Sequence, residues 1–225
     1  MLIELTGVCK IYNQGRANEV RALTDIDLAV EAGNMVCLKG PSGSGKSTLL
    51  AILGCIFPPT SGRAAIAGRQ LARLPDRFLT LHRRETIGFI FQRFNVLPEL
   101  SVADNITLPL LVLGVSPKER RQRAGLLMER LAIAHRATFP AGQISGGELQ
   151  RVAIARALVN DPPIILADEP TAHLDTALSR EFMEIMVQLQ REGKTVVITS
   201  HDPLVFDHPA IERTITITDG RIDVP

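Results

Sequence analysis

The chain has 225 residues, with 25 Lys and Arg against 24 Asp and Glu, so its formal net charge is +1. A chain of this length can build one well-cored domain with room for a subdomain. The near-balanced charge gives no support for a nucleic-acid binder or a polybasic membrane tether. We therefore expect no nucleic-acid partner.

Cysteine usage and the apolar runs predict a protein of a reducing compartment that is soluble by itself. Cys9, Cys37 and Cys55 are odd in number and lack the spacing of metal ligands, which indicates core thiols. The first residues carry no basic region of the kind that opens a signal peptide. The longest apolar stretches, 49–57 and 108–115, are too short to span a bilayer.

The first 90 residues alternate short predicted strands with turns, and one glycine-rich loop leads into a buried helix. In chain order, the predicted elements are strands over 2–12 and 20–30, a turn over 31–34, a strand over 35–38, a helix over 47–53 and a strand over 87–91.

Residues 93–160 are predicted to be mostly helical, with one helix that begins at Ser116-Pro117 and runs to about residue 134. From 162 onward strand and helix alternate again. The predicted elements there are an apolar strand that ends at Asp168, a helix whose core face carries Leu178, Phe182, Ile185, Met186 and Leu189, a buried strand over 195–199, and an edge strand over 211–218. The fold class is therefore α/β, a mixed nucleotide-binding core with a helical insertion.

The glycine-rich loop is Gly40-Pro41-Ser42-Gly43-Ser44-Gly45-Lys46-Ser47, which matches G-x-x-x-x-G-K-[ST] at every fixed position. It lies between a strand and a helix, the context that the motif needs. The glycines let successive N–H groups point at phosphate oxygens, and the helix N-terminus adds partial positive charge. Lys46 supplies a full charge to the β- and γ-phosphates, and the Ser47 hydroxyl can ligate Mg²⁺. We count Thr48 with this nucleotide-binding loop.

Two acids end the apolar run 164–169. Because ligands of open α/β sheets lie at the carboxyl ends of strands, Asp168 is predicted to reach Mg²⁺ directly or through water. Glu169 follows it and is placed to accept a proton from an attacking water.

A second glycine-punctuated segment is Ile144-Ser145-Gly146-Gly147-Glu148-Leu149-Gln150-Arg151. It also resembles a loop that opens a helix, so it can hold an anion at that helix's N-terminus. Two phosphate sites in one chain suggest a nucleotide that is shared between surfaces.

These motifs occur in an order and spacing that resemble the ATPase subunits of ABC transporters, over essentially the whole chain. The resemblance implies one ABC ATPase domain over 1–225, a P-loop NTPase fold with an antiparallel β subdomain. Residues 1–92 and 162–225 would form the catalytic core with the β subdomain, and 93–161 the helical subdomain that carries the Ser145-Gly146-Gly147 signature.

Four further positions match the family residue by residue, although each has an ordinary structural interpretation when it is taken alone. Tyr12 corresponds to the aromatic side chain that stacks on adenine. Gln92 corresponds to the glutamine that senses Mg²⁺ and water. Asp175 falls in the loop that crosses to the partner subunit, and His201 corresponds to the γ-phosphate histidine.

The resemblance also implies cofactors and partners. Two Mg²⁺-ATP molecules would be sandwiched head to tail in a homodimer, each between one phosphate loop and the partner's signature. Hydrolysis by Glu169, His201, Gln92 and Lys46 would open the dimer and work a separate transmembrane permease. The chain would then be cytoplasmic and peripheral on the inner face of the cell membrane.

The stretches 88–98, 101–106, 152–158 and 166–171 resemble the ATPases of lipoprotein release and macrolide export. This branch predicts export or extraction of a lipoprotein, lipid, peptide or drug. Phe94, Val96, Leu97 and Leu100 form an apolar cluster in the region where the family docks a coupling helix, with simple core packing as the alternative.

Other functions stay open from the sequence. A regulatory module of the cell-division type would use the same motifs to signal across the membrane without transport. A soluble ABC ATPase of DNA repair or translation fits less well, since this chain has one cassette and no heptad run. The Ser145-Gly146-Gly147 signature excludes an ordinary P-loop kinase or GTPase. His173 departs from the small residue that the family often places before Leu-Asp, and we assign it no catalytic role.

Overall fold

The computed structural model describes residues 1–71 and 74–223, so residues 72–73 and 224–225 of the predicted domain span lie outside the described residues. The strands are β1 (Ile3–Tyr12), β2 (Val20–Val30), β3 (Met35–Lys39), β4 (Ser61–Ile66), β5 (Arg69–Gln70), β6 (Ile87–Ile90), β7 (Ile164–Asp168), β8 (Thr195–Thr199), β9 (Arg213–Thr218) and β10 (Arg221–Ile222). The helices are α1 (Lys46–Leu53), α2 (Asp76–Thr86), α3 (Val102–Leu111), α4 (Pro117–Arg130), α5 (Gly146–Leu158), α6 (Thr176–Arg191) and α7 (Pro203–Phe206).

The strands form two sheets. A four-stranded antiparallel sheet has the order β2-β1-β4-β5, and a six-stranded sheet has the order β10-β9-β3-β8-β7-β6. Strands β9, β3, β8, β7 and β6 run parallel to one another, and only the pairing of β10 with β9 is antiparallel. Because the strands are parallel, their carboxyl ends meet at one edge of the sheet, where ligand sites of open α/β folds lie.

The six-stranded sheet separates two hydrophobic cores, because successive side chains of a strand point to opposite faces. In β3, Met35 and Cys37 pack into one core, whereas Val36 and Leu38 pack into the other. Helices α3–α6 cover the first face, and α1 with the antiparallel sheet covers the second. Burial raises the pKa of the Cys37 and Cys55 thiols to about 12, which agrees with the prediction of core thiols for these two, whereas Cys9 is only half-buried.

Most predicted elements are confirmed, within one residue at their ends for β1, β2, β3, β6 and β8. Two are corrected. The helix predicted to run to about residue 134 ends at Arg130, because Ala132 adopts a left-handed φ of 54°. The strand near 211–218 is not an edge strand, because β10 pairs with the outer side of β9 through the two-residue turn Asp219-Gly220.

Five elements were not predicted: β4, β5, α2, α7 and β10. The first two complete the antiparallel sheet beside β1, and α2 leads into β6. Across 1–71 and 74–223, no helix is both long enough and apolar enough to cross a membrane.

Candidate functional site

A cavity of about 800 Å³ opens where β3, β7 and β8 end. It brings together the whole phosphate loop, both the glutamine and the histidine predicted from sequence, and the second acid of the β7 end. The lining residues are Val20, Arg21, Ala22, Gly40, Pro41, Ser42, Gly43, Ser44, Gly45, Lys46, Ser47, Thr48, Gln92, Glu169, His201, Asp219 and Gly220.

The phosphate loop is held in place by close backbone contacts. Gly45 caps α1 with a φ of 105°, and a Cβ atom there would lie 2.7 Å from the Ala22 carbonyl oxygen. The Gly220 N–H donates to the Ser44 carbonyl at 2.9 Å, and the Thr24 N–H donates to the Gly220 carbonyl at 2.7 Å. The turn between β9 and β10 therefore supports the loop from outside, which sequence motifs do not reveal.

The Lys46 side chain curls back over its own loop and is only 8% exposed. Its ammonium donates to the carbonyl oxygens of Gly40 at 2.8 Å and Pro41 at 3.1 Å. The same nitrogen lies 3.7 Å from Glu169 Oε1. The full positive charge is therefore fixed inside the cradle, where a phosphate anion would meet it.

Thr199 at the end of β8 contacts both acids, and its carbonyl accepts from the Glu169 N–H at 3.1 Å. Thr199 Oγ1 donates to Asp168 Oδ1 at 2.7 Å and accepts from the Glu169 N–H at 2.9 Å. Ser47 Oγ also donates to Asp168 Oδ1, at 3.2 Å. Glu169 adopts a left-handed φ of 44°, which turns its side chain away from Asp168 and into the cavity.

Glu169 and His201 form a hydrogen-bonded pair at the cavity wall. His201 Nδ1 lies 2.8 Å from Glu169 Oε2, and the other carboxylate oxygen faces Lys46. The Glu169 side chain is 14% exposed, whereas that of His201 is 70% exposed. A mostly buried carboxylate that lines a cavity can accept a proton from a bound water.

The residues present fit a nucleotide with a divalent cation. Ser44 Oγ, which is buried beneath the loop, is one of two buried side-chain polar atoms without a hydrogen-bond partner in the described part of the chain. Such an orphan donor suits a phosphate oxygen. The Ser47 hydroxyl and the Asp168 carboxylate converge as hard oxygen ligands, the type that Mg²⁺ prefers in combination with water and phosphate.

Gln92 and Tyr12 differ in their relation to this cavity. Gln92 follows β6, is exposed, and lines the cavity. Tyr12 ends β1 and is joined to the lining residue Thr48 by a contact of 3.4 Å between their hydroxyl oxygens. Tyr12 itself is not among the described residues that line the cavity.

The signature is not part of this cavity: of the described lining residues, none belongs to Ser145, Gly146, Gly147 or Asp175. Ser145 and Gly146 are exposed, so the N-terminus of α5 faces solvent. Asp175 caps α6 through the Leu178 N–H at 2.9 Å, and Gly147 packs so closely on Leu178 that a Cβ would lie 2.8 Å from Leu178 Cδ2.

A capping box shapes the signature. The Ser145 hydroxyl accepts from the Glu148 N–H, while the Ser145 N–H donates to Glu148 Oε2 at 2.8 Å. Arg136 Nε donates to the other carboxylate oxygen at 2.7 Å. The hydrogen bond from Arg136, with those from Ser145, lowers the pKa of Glu148 to about 2. The cap therefore stays ionised and intact at any physiological pH.

Several site residues were missed from the sequence. Thr199 was read only as part of a buried strand, and Ala22, Asp219 and Gly220 contact the loop from other elements. The Asp219-Gly220 pair does carry a local signal, since this dipeptide favours the tight hairpin turn in which both residues have positive φ. Arg21 also lines the cavity, but it belongs to no motif from which this position could be predicted.

Gly220→Ala is expected to weaken ATP binding roughly tenfold or more, because overpacking costs about 1–3 kcal/mol and its Cβ would lie 2.6 Å from the Ala22 carbonyl under the loop. Gly68→Ala is the matched control, since Gly68 has φ 75° against 73° for Gly220 and nothing within 4 Å of its Cβ position. Equilibrium nucleotide titration measures the affinities, and equal affinities in the two variants would remove the supporting role of Gly220.

Comparisons with known proteins agree with this geometry. A family model described as "ABC transporter" matches residues 23–172. The macrolide export ATP-binding/permease protein MacB 1 of Yersinia pestis bv. Antiqua (strain Antiqua) is 47% identical over 221 residues, which cover 98% of this chain and 34% of that protein. MacB of Hyphomonas neptunium is 44% identical over the same shares. The chain thus spans about a third of the length of these curated relatives.

Solved structures show the same fold over nearly the whole chain. The dimeric structure of a post-hydrolysis state of the ATP-binding cassette MJ0796, bound to ADP and Pi, has a TM-score of 0.90 and 41% identity, and covers 99% of this chain and 97% of that one. The structure of cbiO1 from Clostridium perfringens, part of the ABC transporter complex cbiONQ, has a TM-score of 0.85 at 28% identity, with 99% and 87% coverage. The chain therefore belongs to the ABC transporter family, in which it is an ATP-binding, ATP-hydrolysing cassette.

Proposed function

We propose that two copies of this cassette close head to tail on two Mg²⁺-ATP molecules, and that hydrolysis drives a transmembrane permease. The observation that carries the proposal is the separation of two anion sites. The phosphate loop opens into the cavity, whereas the N-terminus of α5 at Ser145 faces solvent outside it. The dimeric neighbour structures of MJ0796 support this arrangement.

In the proposed site the phosphates lie on the backbone N–H groups of residues 40–47 at the N-terminus of α1. Lys46 holds the β- and γ-phosphates, and its present carbonyl partners at Gly40 and Pro41 keep its ammonium within reach. The Ser44 hydroxyl donates to a phosphate oxygen, which would satisfy a group that is buried without a partner. Tyr12 stacks on the adenine ring.

The residues that would hold the metal in this proposal are Ser47, Gln92 and Asp168, and Gln92 would also contact the attacking water. When bound there, Mg²⁺ would neutralise charge that builds on the β- and γ-phosphate oxygens. Thr199 keeps the Asp168 carboxylate turned toward Ser47, because its hydroxyl donates to the same oxygen. Asp168 therefore needs no rearrangement to act as a ligand.

We assign Glu169 as the general base. It takes a proton from a water while the water oxygen attacks the γ-phosphorus, the bond from that phosphorus to the bridging oxygen breaks, and ADP leaves with the electron pair. His201 Nδ1 lies 2.8 Å from Glu169 Oε2 and holds the carboxylate. The exposed side of the His201 ring is then free to contact the γ-phosphate.

The partner copy completes the cradle. Its Ser145 hydroxyl and the N–H groups of Gly146 and Gly147 would donate to the γ-phosphate from the side opposite Lys46. Asp175 would cross between the copies beside this signature. The close contact between Gly147 and Leu178 supports the placement of Asp175 beside the signature, because it joins the signature to the start of α6.

The permease partner is proposed from the relatives and from an apolar surface. The MacB relatives are named ATP-binding/permease proteins, and this chain spans about a third of them. Leu97 is 46% exposed, and a groove of about 670 Å³ between α3 and α4 includes Leu100. Val96 packs on the core instead. In the predicted apolar cluster, Leu97 and Leu100 are therefore the residues proposed for docking, and Val96 belongs to the core.

A buried side chain holds this docking surface in shape. Asn105 is fully buried and accepts from the Leu97 N–H at 2.7 Å, while its amide donates to the Leu97 and Leu100 carbonyls. Leu97, five residues after Gln92 in the chain, therefore rests on a fixed loop, through which motion at the nucleotide can reach a permease. The assembly would lie on the cytoplasmic face of the inner membrane.

Transport of a lipoprotein, lipid, peptide or drug out of the inner membrane is the activity we propose for the whole complex. The relatives above are named for macrolide export, which supports this class of cargo. The regulatory alternative, signalling without transport, is not favoured by those relatives.

Glu169→Gln is expected to lower ATP turnover by roughly 100-fold or more, the upper range for loss of a general base, while ATP still binds and traps the dimer. Glu184→Gln is the control, because Glu184 is an exposed carboxylate on α6 and is not among the described residues that line the cavity. Phosphate release and size-exclusion chromatography measure the two effects. Turnover close to that of Glu184→Gln would show that Glu169 is not the base.

Ser145→Arg is expected to abolish ATP-induced dimerisation but to leave ATP binding by the monomer unchanged. Ser116→Arg is a matched control, because Ser116 caps α4 as Ser145 caps α5. Loss of either cap costs about 1 kcal/mol of stability. Sedimentation in the Glu169→Gln background measures the dimer, and loss of monomer binding in Ser145→Arg alone would contradict the shared site.

A further inference from the structure

A pair of aromatic rings lies beside the nucleotide cavity, and only one of them was expected. The rings of Tyr12 and Phe57 have centroids 5.9 Å apart and planes 82° apart, an edge-to-face contact. Phe57 lies after α1, in the connection to β4, and is half-buried. Such a pair contributes stabilisation beyond the apolar area that it buries, and it fixes the relative orientation of the two rings.

Lys10 covers this pair and is itself anchored. Its ammonium lies 4.2 Å from the Phe57 centroid and 5.5 Å from the Tyr12 centroid. The same nitrogen donates to the Pro58 carbonyl at 3.0 Å. Burial lowers the pKa of Lys10, which agrees with an ammonium partly withdrawn from water against the rings.

The Tyr12 ring is therefore restrained at both ends. Its hydroxyl lies 3.4 Å from Thr48 Oγ1, which lines the cavity, and its ring is set against Phe57. In an edge-to-face pair one ring covers at most one face of the other. Phe57 thus covers at most one face of Tyr12, and Tyr12 is only half-buried, so part of its surface stays accessible to a planar ligand.

We infer that Phe57 and Lys10 are positioning residues that hold the Tyr12 ring ready for the nucleobase of ATP. The inference rests on the proposed stacking role of Tyr12. A ring that is already fixed loses less conformational freedom when the base stacks on it, so base binding becomes tighter. Neither residue contacts the reacting phosphates, so the effect belongs to affinity and not to the chemical step.

The kinetic test is Phe57→Leu, which keeps apolar volume and removes the ring. The KM for ATP should rise roughly two- to tenfold, the range of an aromatic pair, with kcat at saturating ATP unchanged. Inhibition by inorganic tripolyphosphate, which has no base, should not change. Phe57→Tyr, which keeps an aromatic ring at this position, should have the same KM for ATP as the unsubstituted protein. The control is Phe78→Leu, because Phe78 also lies beside a cation, with Arg77 4.7 Å from its centroid on α2.

A spectroscopic test uses the composition of the chain, which has one tyrosine and no tryptophan. Tyrosine fluorescence therefore reports on Tyr12 alone. Its anisotropy in the nucleotide-free protein should fall in Phe57→Leu and in Lys10→Met, because the ring is released. Phe78→Leu should leave it unchanged.

These outcomes distinguish the stacking role of Tyr12 from the positioning role of Phe57 and Lys10. If Tyr12→Ala leaves the ATP affinity unchanged, the stacking role fails. If Tyr12→Ala weakens ATP binding while Phe57→Leu does not, stacking stands and the positioning role is overturned. A parallel loss of ATP and tripolyphosphate affinity in Phe57→Leu would also overturn it, since that indicates damage to the phosphate loop. Addition of Phe57→Leu to Tyr12→Ala should weaken binding no further.

Discussion

The hydroxyl of Thr199 is the contact on which the rest of the site depends. It donates to Asp168 and accepts from the Glu169 N–H, so a single hydroxyl at the end of β8 contacts both acids at the end of β7. The Thr199 carbonyl shares the Glu169 N–H, and His201 holds the Glu169 carboxylate. The parallel pairing of these strands brings Asp168 level with Thr199. The register of the sheet therefore determines the catalytic geometry, because a one-residue slip would point the Thr199 side chain to the other face of the sheet.

The phosphate loop depends on a different part of the fold. Gly45 and Gly220 both pack so closely on the Ala22 carbonyl of β2 that a Cβ atom at either position would clash with it. The loop is thus supported by the start of the antiparallel sheet and by the hairpin that ends the parallel sheet. The nucleotide cavity lies where these supports meet, which explains why residues from both sheets line it.

The sequence predicts the parts of the site that rest on local chemistry. The loop 40–47, Asp168 and Glu169 follow from motif and strand end, and the structure brings Gln92 and His201 to the same cavity. Thr199 and Ala22 were missed because their importance lies in contacts across strands, which leave no local pattern. The Asp219-Gly220 turn has a local signal, but that signal does not reveal the contact of Gly220 with the phosphate loop. The prediction that β9 is an edge strand was wrong for a related reason. The strand that pairs with its outer side, β10, has two residues and is too short to show periodicity. The two-residue strand β5 escaped prediction in the same way.

The most direct measurement compares Thr199→Val with Thr195→Val. Both threonines are fully buried on β8, and Thr195 accepts a hydrogen bond from the Gly33 N–H at 2.8 Å, away from the acids. Each variant loses a buried hydroxyl, so their free energies of unfolding should fall by similar amounts. The account predicts that ATP turnover falls roughly 10- to 100-fold in Thr199→Val, as for a misplaced catalytic group, with ATP binding kept and with Thr195→Val near wild type. Equal turnover in the two variants would contradict it.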